Sequence, residues 1–369
     1  MQTSKRRKMT KTPPLDSRDA IYRLDPNHML DSVESLDLQI LDMWQACERF
    51  SVPESYRSAK NIVVSGMGGS ALGGRVVKSL YKSELQIPFE LIGHYVLPAY
   101  VGKDSLVILS SYSGSTEETL ASYQDAKNRG AMLAVITAGG KLLELAKQDG
   151  VPYVQIVPKH NPSNQPRMAI GYAITGLLAM LTKAGFLNIS QQEIDSAVQL
   201  LRERKPFLIP ESIEQNTAKL LAYAAVDKQI FFVSAEHLEG ATHVFNNQLN
   251  ENAKVISAEY LIPEMNHHFL ESISFPKQLR DSTFFLFIQS SLYHPRVNVR
   301  VPITRDIVEM STFPAETIMA TGVTRFSQVW EVIQLGAFTN IYLAVLNGIE
   351  DPSKIPYVDF LKEKLAEVK

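Results

Sequence analysis

Short apolar runs alternate with amphipathic stretches along most of the chain. NIVVS (61–65) and SLVILSS (105–111) have the length of buried strands, and each is followed by a stretch with helical spacing. Three further runs continue the series: PFELIGH, MLAVIT and VPYVQIV. Strands that are apolar throughout and alternate with helices are typical of a parallel sheet covered by helices on both faces. The first half of the chain therefore predicts an α/β sandwich.

The second half repeats this alternation more loosely. Helical spacing covers residues 194–205 and 217–226, and QIFFVS and TFFLFIQ have the pattern of strands. NVRVPIT (298–304) alternates in the same way and predicts a third strand. The fold class that we predict is α/β, with two tandem αβα sandwich domains and mainly parallel sheets.

The domain boundaries that we expect follow from these patterns. A chain of 369 residues is long for one domain and suits two of ordinary size. The spacing of residues 23–50 predicts a helical lead-in, and the two sandwiches are expected to meet just before Ser190, a predicted N-cap. We expect a flexible basic tail at 1–22, a first domain at 23–187 and a second domain at 188–369.

The composition is that of a soluble globular protein, with 45% hydrophobic and 21% charged residues. The net charge of −2 gives no reason to expect a nucleic-acid partner, since proteins that bind nucleic acid carry a strongly basic face. A single cysteine, Cys47, excludes an intrachain disulfide framework and a thiolate-rich metal site. This cysteine usage fits a reducing compartment, so we expect a cytoplasmic protein without a metal.

Two stretches bear on membrane association and export. The apolar stretch 169–186 carries Lys183 and is shorter than a membrane span of about 20 residues, so we predict a buried helix. The basic amino-terminal segment MQTSKRRKMTKTPPLDS lacks the apolar core of a signal peptide. We therefore expect no membrane partner.

A glycine-rich loop follows the first predicted strand. Gly66, Gly68 and Ala71 fit the dinucleotide pattern G-x-G-x-x-A, whereas no Lys-Ser/Thr follows the glycines as a P-loop requires. The glycines are equally compatible with a tight turn between a strand and a helix. Ser70 adds a hydroxyl beside a predicted helix N-terminus, where backbone N–H groups favour an anion.

A second loop, rich in hydroxyl groups, follows the strand 105–111. Ser110, Ser111, Ser113, Ser115 and Thr116 lie within seven residues. An ordinary helix N-cap needs only one Ser or Thr, so five exceed that role. The carboxyl ends of parallel strands are where α/β sheets bind ligands. Neutral hydroxyl donors beside a helix N-terminus suit a phosphate monoester.

These two loops carry a resemblance to a known family. GMGGSALGG followed by SYSGSTEETL resembles the sugar isomerase (SIS) domain, which binds phosphosugars. The later segments QPRMAIGYA, NNQLNENAK and PEMNHHF resemble bifunctional phosphoglucose/phosphomannose isomerases, and the resemblance extends from about residue 61 to the C-terminus. It implies an aldose–ketose isomerase that interconverts glucose 6-phosphate and mannose 6-phosphate with fructose 6-phosphate through an enediolate, with no cofactor.

The resemblance also implies roles for individual residues. Glu251 corresponds to the base that moves a proton between C1 and C2, and Arg167 to the arginine aimed at the enediolate oxygens. His267 corresponds to a ring-opening histidine that reaches the site from a neighbouring subunit, which implies a homodimer. Lys362 corresponds to a lysine near the ring oxygen. The predicted phosphate-binding residues are Gly69, Ser70, Ser111, Ser113 and Thr116.

Two positions depart from the family pattern. The family usually has Asn and Glu after the histidine, whereas His268 and Phe269 follow here, so either His267 or His268 is a candidate for ring opening. Ile355 occupies the position at which some members carry a threonine credited with admitting mannose 6-phosphate. The adjacent histidines have no further ligands at metal-binding spacing.

Other classes of function remain as alternatives. A non-catalytic phosphosugar-binding regulator would carry a helix-turn-helix region, for which 23–50 is too short and too acidic. A glutamine-dependent transferase needs an amino-terminal nucleophilic cysteine, whereas Cys47 is internal. A dehydrogenase would rest on the glycine pattern alone.

Overall fold

The computed structural model describes residues 15–367. The predicted lead-in at 23–50 contains two helices, α2 (Met29–Glu34) and α3 (Leu36–Ala46), and a further helix, α1 (Arg18–Tyr22), precedes it within the predicted tail. Asp25 causes the first break, because its buried carboxylate accepts bonds of 2.9 Å from the amides of Met29 and Leu30 and so fixes the start of α2.

Residues 15–22 differ from the flexible tail that the sequence predicts. Leu15, Ala20 and Ile21 are buried in the core. Arg18 pairs at 2.8 Å with both Glu34 and Glu211, so α1 is tied to two distant parts of the chain. The apolar residues behind the basic segment explain the difference, because they gain more from burial than from exposure. Residues 1–14 of the predicted tail lie outside the described residues.

The first sheet has five strands, all parallel, in the order β2–β1–β3–β4–β5. Every residue of the central strand β3 is buried, which explains its wholly apolar and small composition. The strands are β1 (Asn61–Ser65), β2 (Phe89–Ile92), β3 (Ser105–Ser111), β4 (Met132–Thr137) and β5 (Tyr153–Gln155).

Helices cover both faces of this sheet, as the sequence predicts. Alternate residues of β1 point to opposite faces of the sheet. Ile62 and Val64 join the large core on one face, whereas Val63 joins a smaller core on the other. The helices α4 and α7 contribute to the large core, and α5 and α6 to the smaller one. The bounds are α4 (Gly69–Leu80), α5 (Glu117–Asn128), α6 (Gly140–Asp149) and α7 (Ile170–Lys183).

The second sheet has four parallel strands in the order β7–β6–β8–β9. It confirms the predicted fold class of two α/β sandwiches with parallel sheets. The strands are β6 (Gln229–Ser234), β7 (Ser257–Leu261), β8 (Thr283–Ser290) and β9 (Ala315–Ala320). The helices are α8 (Gln191–Arg204), α9 (Thr217–Ala224), α10 (Glu239–Gln248), α11 (Met265–Ser272), α12 (Leu279–Ser282), α13 (Pro295–Met310), α14 (Arg325–Leu346) and α15 (Pro356–Glu367).

The predicted strand at 298–304 is wrong, because these residues belong to helix α13. The buried residues of α13 are Val297, Val301, Thr304 and Val308, at intervals of four, three and four. That is the period of a helix face, whereas the intervening valine and isoleucine are exposed. The alternation of NVRVPIT therefore reflects apolar residues on both sides of a helix. In the second domain, the third strand in chain order is β8, and β9 (AETIMA) completes the sheet.

Helix α14 is the longest element of the second domain and packs on α8, α9 and α10. By length and composition it is apolar enough to cross a membrane, with a mean hydropathy of 1.4 over its most apolar window. In the fold, 94% of that window is buried. Helix α14 is therefore the central core helix of this domain, as α7 (the predicted buried helix at 169–186) is of the first.

Candidate active site

The glycine loop and the hydroxyl loop meet at one edge of the first sheet. Strands β1 and β3 are neighbours, so the loops that follow them are adjacent. The amide of Tyr112 donates to Ser70 Oγ at 2.9 Å, and Ser110 Oγ donates to the Ser70 carbonyl at 2.9 Å. These bonds hold the first turn of α4 against the hydroxyl loop, so both helix N-termini open onto the same space.

The hydroxyl loop is rigid at its base and open at its tip. Ser111 is buried, lies 2.8 Å from Thr116 Oγ1 and accepts a bond of 3.1 Å from the Gly114 amide. Gly114 has a φ of +67°, and a Cβ there would lie 1.8 Å from the Gly139 carbonyl, so only glycine fits. Ser113 is exposed.

Neither helix that starts at these loops is capped by a side chain. Gly68 precedes α4 without a capping bond, and the Thr116 hydroxyl makes none to α5. An ordinary N-cap role therefore does not account for Thr116. The first amides of both helices remain suited to an anion from solution.

The glycine loop also touches the segment that carries Arg167. A Cβ on Gly69 would lie 2.6 Å from the Arg167 backbone nitrogen. Glycine at this position thus allows the two backbones to pack directly against each other. As a result, Arg167 lies beside the loops that are predicted to hold the phosphate.

The guanidinium of Arg167 is buried, and each of its three nitrogens donates at least one hydrogen bond. Nε donates to Asn252 Oδ1 at 2.6 Å, and Nη1 donates to Gln165 Oε1 at 2.9 Å. Nη1 also lies 3.2 Å from Glu251 Oε2. Nη2 donates to the carbonyls of Pro352 (3.1 Å) and Ser353 (2.9 Å). Burial lowers the pKa of Arg167, and the charges of Glu251 and Asp351 act against that shift.

Glu251 stands on a π-helical turn, Leu249–Ala253, that continues α10. The wider turn separates neighbouring side chains: Asn252 is fully buried against Arg167, whereas the Glu251 side chain keeps 28% of its exposure. The Glu251 carboxylate is thereby fixed at one end and open to solvent at the other. A carboxylate in this position can accept a proton from a bound molecule.

The other predicted catalytic residues lie elsewhere on this chain. His267 and His268 are exposed on α11, and His268 faces Glu264 at 3.8 Å. Lys362 is exposed on α15, a helix with no buried residue. Within residues 15–367, the partners of Arg167 and Glu251 include none of these three side chains.

Sequence reasoning missed the polar residues that hold the pair. Gln248 Nε2 donates to the Arg167 carbonyl at 2.8 Å, and Asn252 Nδ2 donates to Met168 Sδ at 3.6 Å. Lys254 follows the π-helical turn, and its ammonium binds the Glu251 carbonyl. The signal was present in NNQLNENAK, because a dense polar run on a helix of a buried core requires buried partners.

Comparisons with known proteins identify the family. The SIS domain model matches residues 55–179, and the model of the bacterial phospho-glucose isomerase C-terminal SIS domain matches residues 214–365. A bifunctional phosphoglucose/phosphomannose isomerase of Caldicellulosiruptor bescii is 34% identical over 346 residues, which are 92% of this chain and 100% of that relative. The chain belongs to the bifunctional phosphoglucose/phosphomannose isomerase family.

Further relatives agree with this family. A bifunctional phosphoglucose/phosphomannose isomerase of Aquifex aeolicus is 30% identical over 309 residues, which are 83% of this chain and 90% of that relative. The crystal structure of a hypothetical protein from Thermus thermophilus has a TM-score of 0.72 and 18% identity, covering 96% of this chain and 93% of its own. The similarity to the Thermus thermophilus protein concerns the fold alone. The family resemblance read from the motifs is confirmed.

Proposed function

We propose that this chain interconverts glucose 6-phosphate and mannose 6-phosphate with fructose 6-phosphate through an enediolate. Over most of its length the chain is similar to relatives named bifunctional phosphoglucose/phosphomannose isomerase. The observation that carries the proposal for the site is the Glu251–Arg167 pair, whose charged groups are 3.2 Å apart. The backbone of Arg167 packs directly against Gly69. Base, cation and phosphate loops thus share one face of the molecule.

The substrate phosphate is assigned to the two loops. Ser70, Ser113 and Thr116 offer hydroxyl groups beside two helix N-termini without side-chain caps, and Gly69 offers its amide. Neutral donors and helix dipoles stabilise a phosphate dianion without Lys or Arg. Ser111 serves this site through Thr116, whose hydroxyl it holds at 2.8 Å.

Glu251 is assigned as the base. In the open-chain aldose it takes the proton from C2 and returns it to C1, while the hydroxyl proton passes from O2 to O1. No atom or electron is gained or lost overall, so the reaction consumes no nicotinamide. Abstraction from glucose or mannose configuration at C2 requires only rotation about the C2–C3 bond of the open chain. Ile355, with Ser353 two residues before it, lies where some members of the family carry a threonine.

Arg167 is assigned to the enediolate oxygens. Nε and both N–H groups of Nη2 donate to protein oxygens, whereas Nη1 donates one bond to Gln165 and forms an ion pair with Glu251, so an enediolate oxygen is expected at Nη1 in place of Glu251. Replacement of Glu251 fits the reaction, because the carboxylate turns toward the substrate as it takes the proton. The guanidinium of Arg167 then pairs with the developing negative charge of the enediolate instead of with Glu251.

Ring opening is assigned to His267 of a second copy of the chain, and the ring oxygen to Lys362. His267 is exposed and bound to no part of its own site, which suits a side chain that serves a neighbour. Helix α15 exposes Tyr357, Phe360 and Leu361, of which the first keeps 90% of its accessible surface. Apolar groups on an otherwise uncovered helix favour an intersubunit contact. A cytoplasmic homodimer acting in glycolysis and gluconeogenesis is the setting we propose.

A product assay tests the function. Incubation of the purified protein with glucose 6-phosphate or mannose 6-phosphate should yield fructose 6-phosphate without nicotinamide and with a chelator present. Binding of the sugar phosphates without any turnover would favour the alternative, a non-catalytic phosphosugar-binding protein. Turnover that depends on added nicotinamide would favour a dehydrogenase.

A further inference from the structure

The segment 351–354 lies outside helices and strands; Asn27 and the Leu24 carbonyl bind its first residues, and side-chain cations bind the carbonyls that follow. Three successive carbonyls, those of Pro352, Ser353 and Lys354, accept bonds from Arg167 or Lys254. Lys254 Nζ also lies 3.5 Å from the Pro352 carbonyl, so both cations share that group. Backbone carbonyls outside helices and strands need such partners when they are buried.

Lys254 sits where the turn that carries Glu251 ends. Its φ of +59° is in the left-handed region, which turns the chain sharply away from the π-helical turn. Its ammonium bends back and donates to the carbonyl of Glu251. The last carbonyls of a helix lack partners within the helix, so this bond closes the turn at the base itself.

We propose that Lys254 is a positioning residue of the isomerase: it ties the turn that carries Glu251 to the segment 352–354, so that base and C-terminal segment keep one fixed relation. Helix α15 begins at Pro356, two residues after this segment. Lys254 thereby also fixes the point from which the helix carrying Lys362 leaves the core. The inference rests on the proposed function, because Glu251 is the base only in that reaction.

An ordinary surface lysine does not explain this placement. Lys254 as a residue is exposed, but desolvation around its ammonium and the neighbouring charge of Arg167 both lower its pKa, so the ammonium is held here at a cost. Three carbonyl oxygens on two separate segments offset that cost. A lysine selected for solubility alone would extend into water instead.

Replacement of Lys254 by methionine tests the proposal. Methionine removes the donors and the charge, so the turn and the segment lose their common bond. We expect kcat with glucose 6-phosphate to fall about 10- to 100-fold, since small displacements of a catalytic group have effects of this size. The KM should stay within about twofold, because the phosphate loops are untouched. Lys254→Arg keeps a cation with several donors and should recover most of kcat.

Hydrogen–deuterium exchange provides a readout that does not depend on activity. In Lys254→Met the amides of residues 249–253 and of 353–354 should exchange faster together than in the unchanged protein. Lys60→Met is the matched control: its Nζ pairs with Asp104 at 3.4 Å, it is 75% exposed, and it precedes β1 at the opposite end of the sheet. It should change neither exchange in these segments nor kcat.

The proposal is overturned if Lys254→Met keeps full kcat, or if exchange rises in only one of the two segments. Should Lys254→Met not fold, Lys254→Gln, which keeps an N–H donor without charge, replaces it in both measurements with the same criteria. An unchanged protein that turns over neither hexose phosphate would reject the proposed function instead. In that case joint exchange of the two segments would still support the tie made by Lys254.

Discussion

Arg167 shows how a single buried charge organises the residues around it. An unpaired buried guanidinium would be strongly destabilising, so each N–H group needs an acceptor. Its five polar contacts come from three parts of the chain: Gln165, the turn with Glu251 and Asn252, and the carbonyls of Pro352 and Ser353. Satisfying one charge thus fixes Glu251 relative to Gln165 and to the segment 352–353.

Replacement of Glu251 by glutamine tests the role of the base. The amide oxygen of glutamine can still accept a bond from Arg167, so we expect folding and substrate binding to remain close to those of the unchanged protein. Loss of the base should lower kcat by about 100- to 10,000-fold, the usual contribution of a general base. Steady-state kinetics together with a thermal melt measure both effects. Retained turnover in a folded Glu251→Gln protein would reject the role of Glu251 as the base.

At the scale of elements, the hydroxyl loop combines a fixed base with an open tip. Ser111 is bonded to Thr116 and to the Gly114 amide at the base of the loop, whereas Ser113 at the tip is exposed, and we propose that Ser113 and Thr116 contact the ligand. The division explains why five hydroxyl residues occur where one suffices for a cap. Loss of the outer hydroxyls should therefore affect binding more than folding.

The double replacement Ser113→Ala with Thr116→Ala tests the loop. Each hydrogen bond to a charged phosphate contributes about 1.5–3 kcal/mol, so the KM for hexose 6-phosphates should rise at least about tenfold. The melting temperature should change little, because Ser113 is exposed and neither hydroxyl caps the helix α5. Ser196→Ala, on the exposed face of α8, is the control. An unchanged KM would leave this loop with a purely structural role.

The segment 351–354 has a pH dependence of its own. Burial acts to raise the pKa of Asp351, but hydrogen bonds from Ser353, Asn27 and Lys354 outweigh it and hold the pKa below its ordinary value of 3.8. A carboxyl group whose pKa is lower in the folded protein stabilises the fold above its unfolded pKa. That stabilisation is lost as the pH falls through the lowered pKa.

Replacement of Asp351 by asparagine should therefore destabilise the protein in a pH-dependent way. At pH 7 the loss of a charged acceptor for three donors should cost about 1–3 kcal/mol in the free energy of unfolding. The difference between the two proteins should shrink at pH 3, where the native carboxyl group begins to take up a proton. Chemical denaturation at both pH values measures it. An equal difference at both would show that the charge of Asp351 contributes nothing.

The whole molecule, as a single chain, presents an incomplete set of the predicted catalytic groups. Arg167 packs against Gly69 and pairs with Glu251, whereas His267 and Lys362 are exposed on α11 and α15. A two-fold symmetric dimer brings the same surface of each copy to the other, so one histidine can serve each site. If the site is shared as proposed, activity is a property of the dimer.

Mixing two inactive variants tests a shared site. In a dimer of Glu251→Gln with His267→Ala, one site combines an intact Glu251 with the His267 of the partner subunit, and the other site lacks both. Random exchange of subunits should therefore restore about a quarter of the unchanged activity, by the counting that follows from two-fold symmetry. Co-expression with two affinity tags isolates the mixed dimer. If the histidine acts within its own chain, the mixture stays inactive. The same experiment with His268→Ala instead of His267→Ala shows which of the two histidines acts.

The sequence by itself determined the order of elements and the chemistry of the loops. A strand of apolar and small residues, such as 105–111, is buried on both faces and can be recognised in the sequence. A glycine such as Gly114, whose positive φ favours glycine, can be recognised in the same way. The helix at 298–304 was misassigned because apolar residues on two sides of a helix imitate the alternation of a strand. Local patterns give no information about which side is covered.

Only the tertiary structure decided how the site is held. The contacts of Arg167 with Asn252 and Pro352 span 85 and 185 residues of sequence, and no local pattern relates residues so far apart. The same holds for Lys254, whose role depends on carbonyls about 100 residues away. Burial of one charge in a low-dielectric interior requires partners wherever the fold supplies them, so their identity follows from packing and not from sequence spacing.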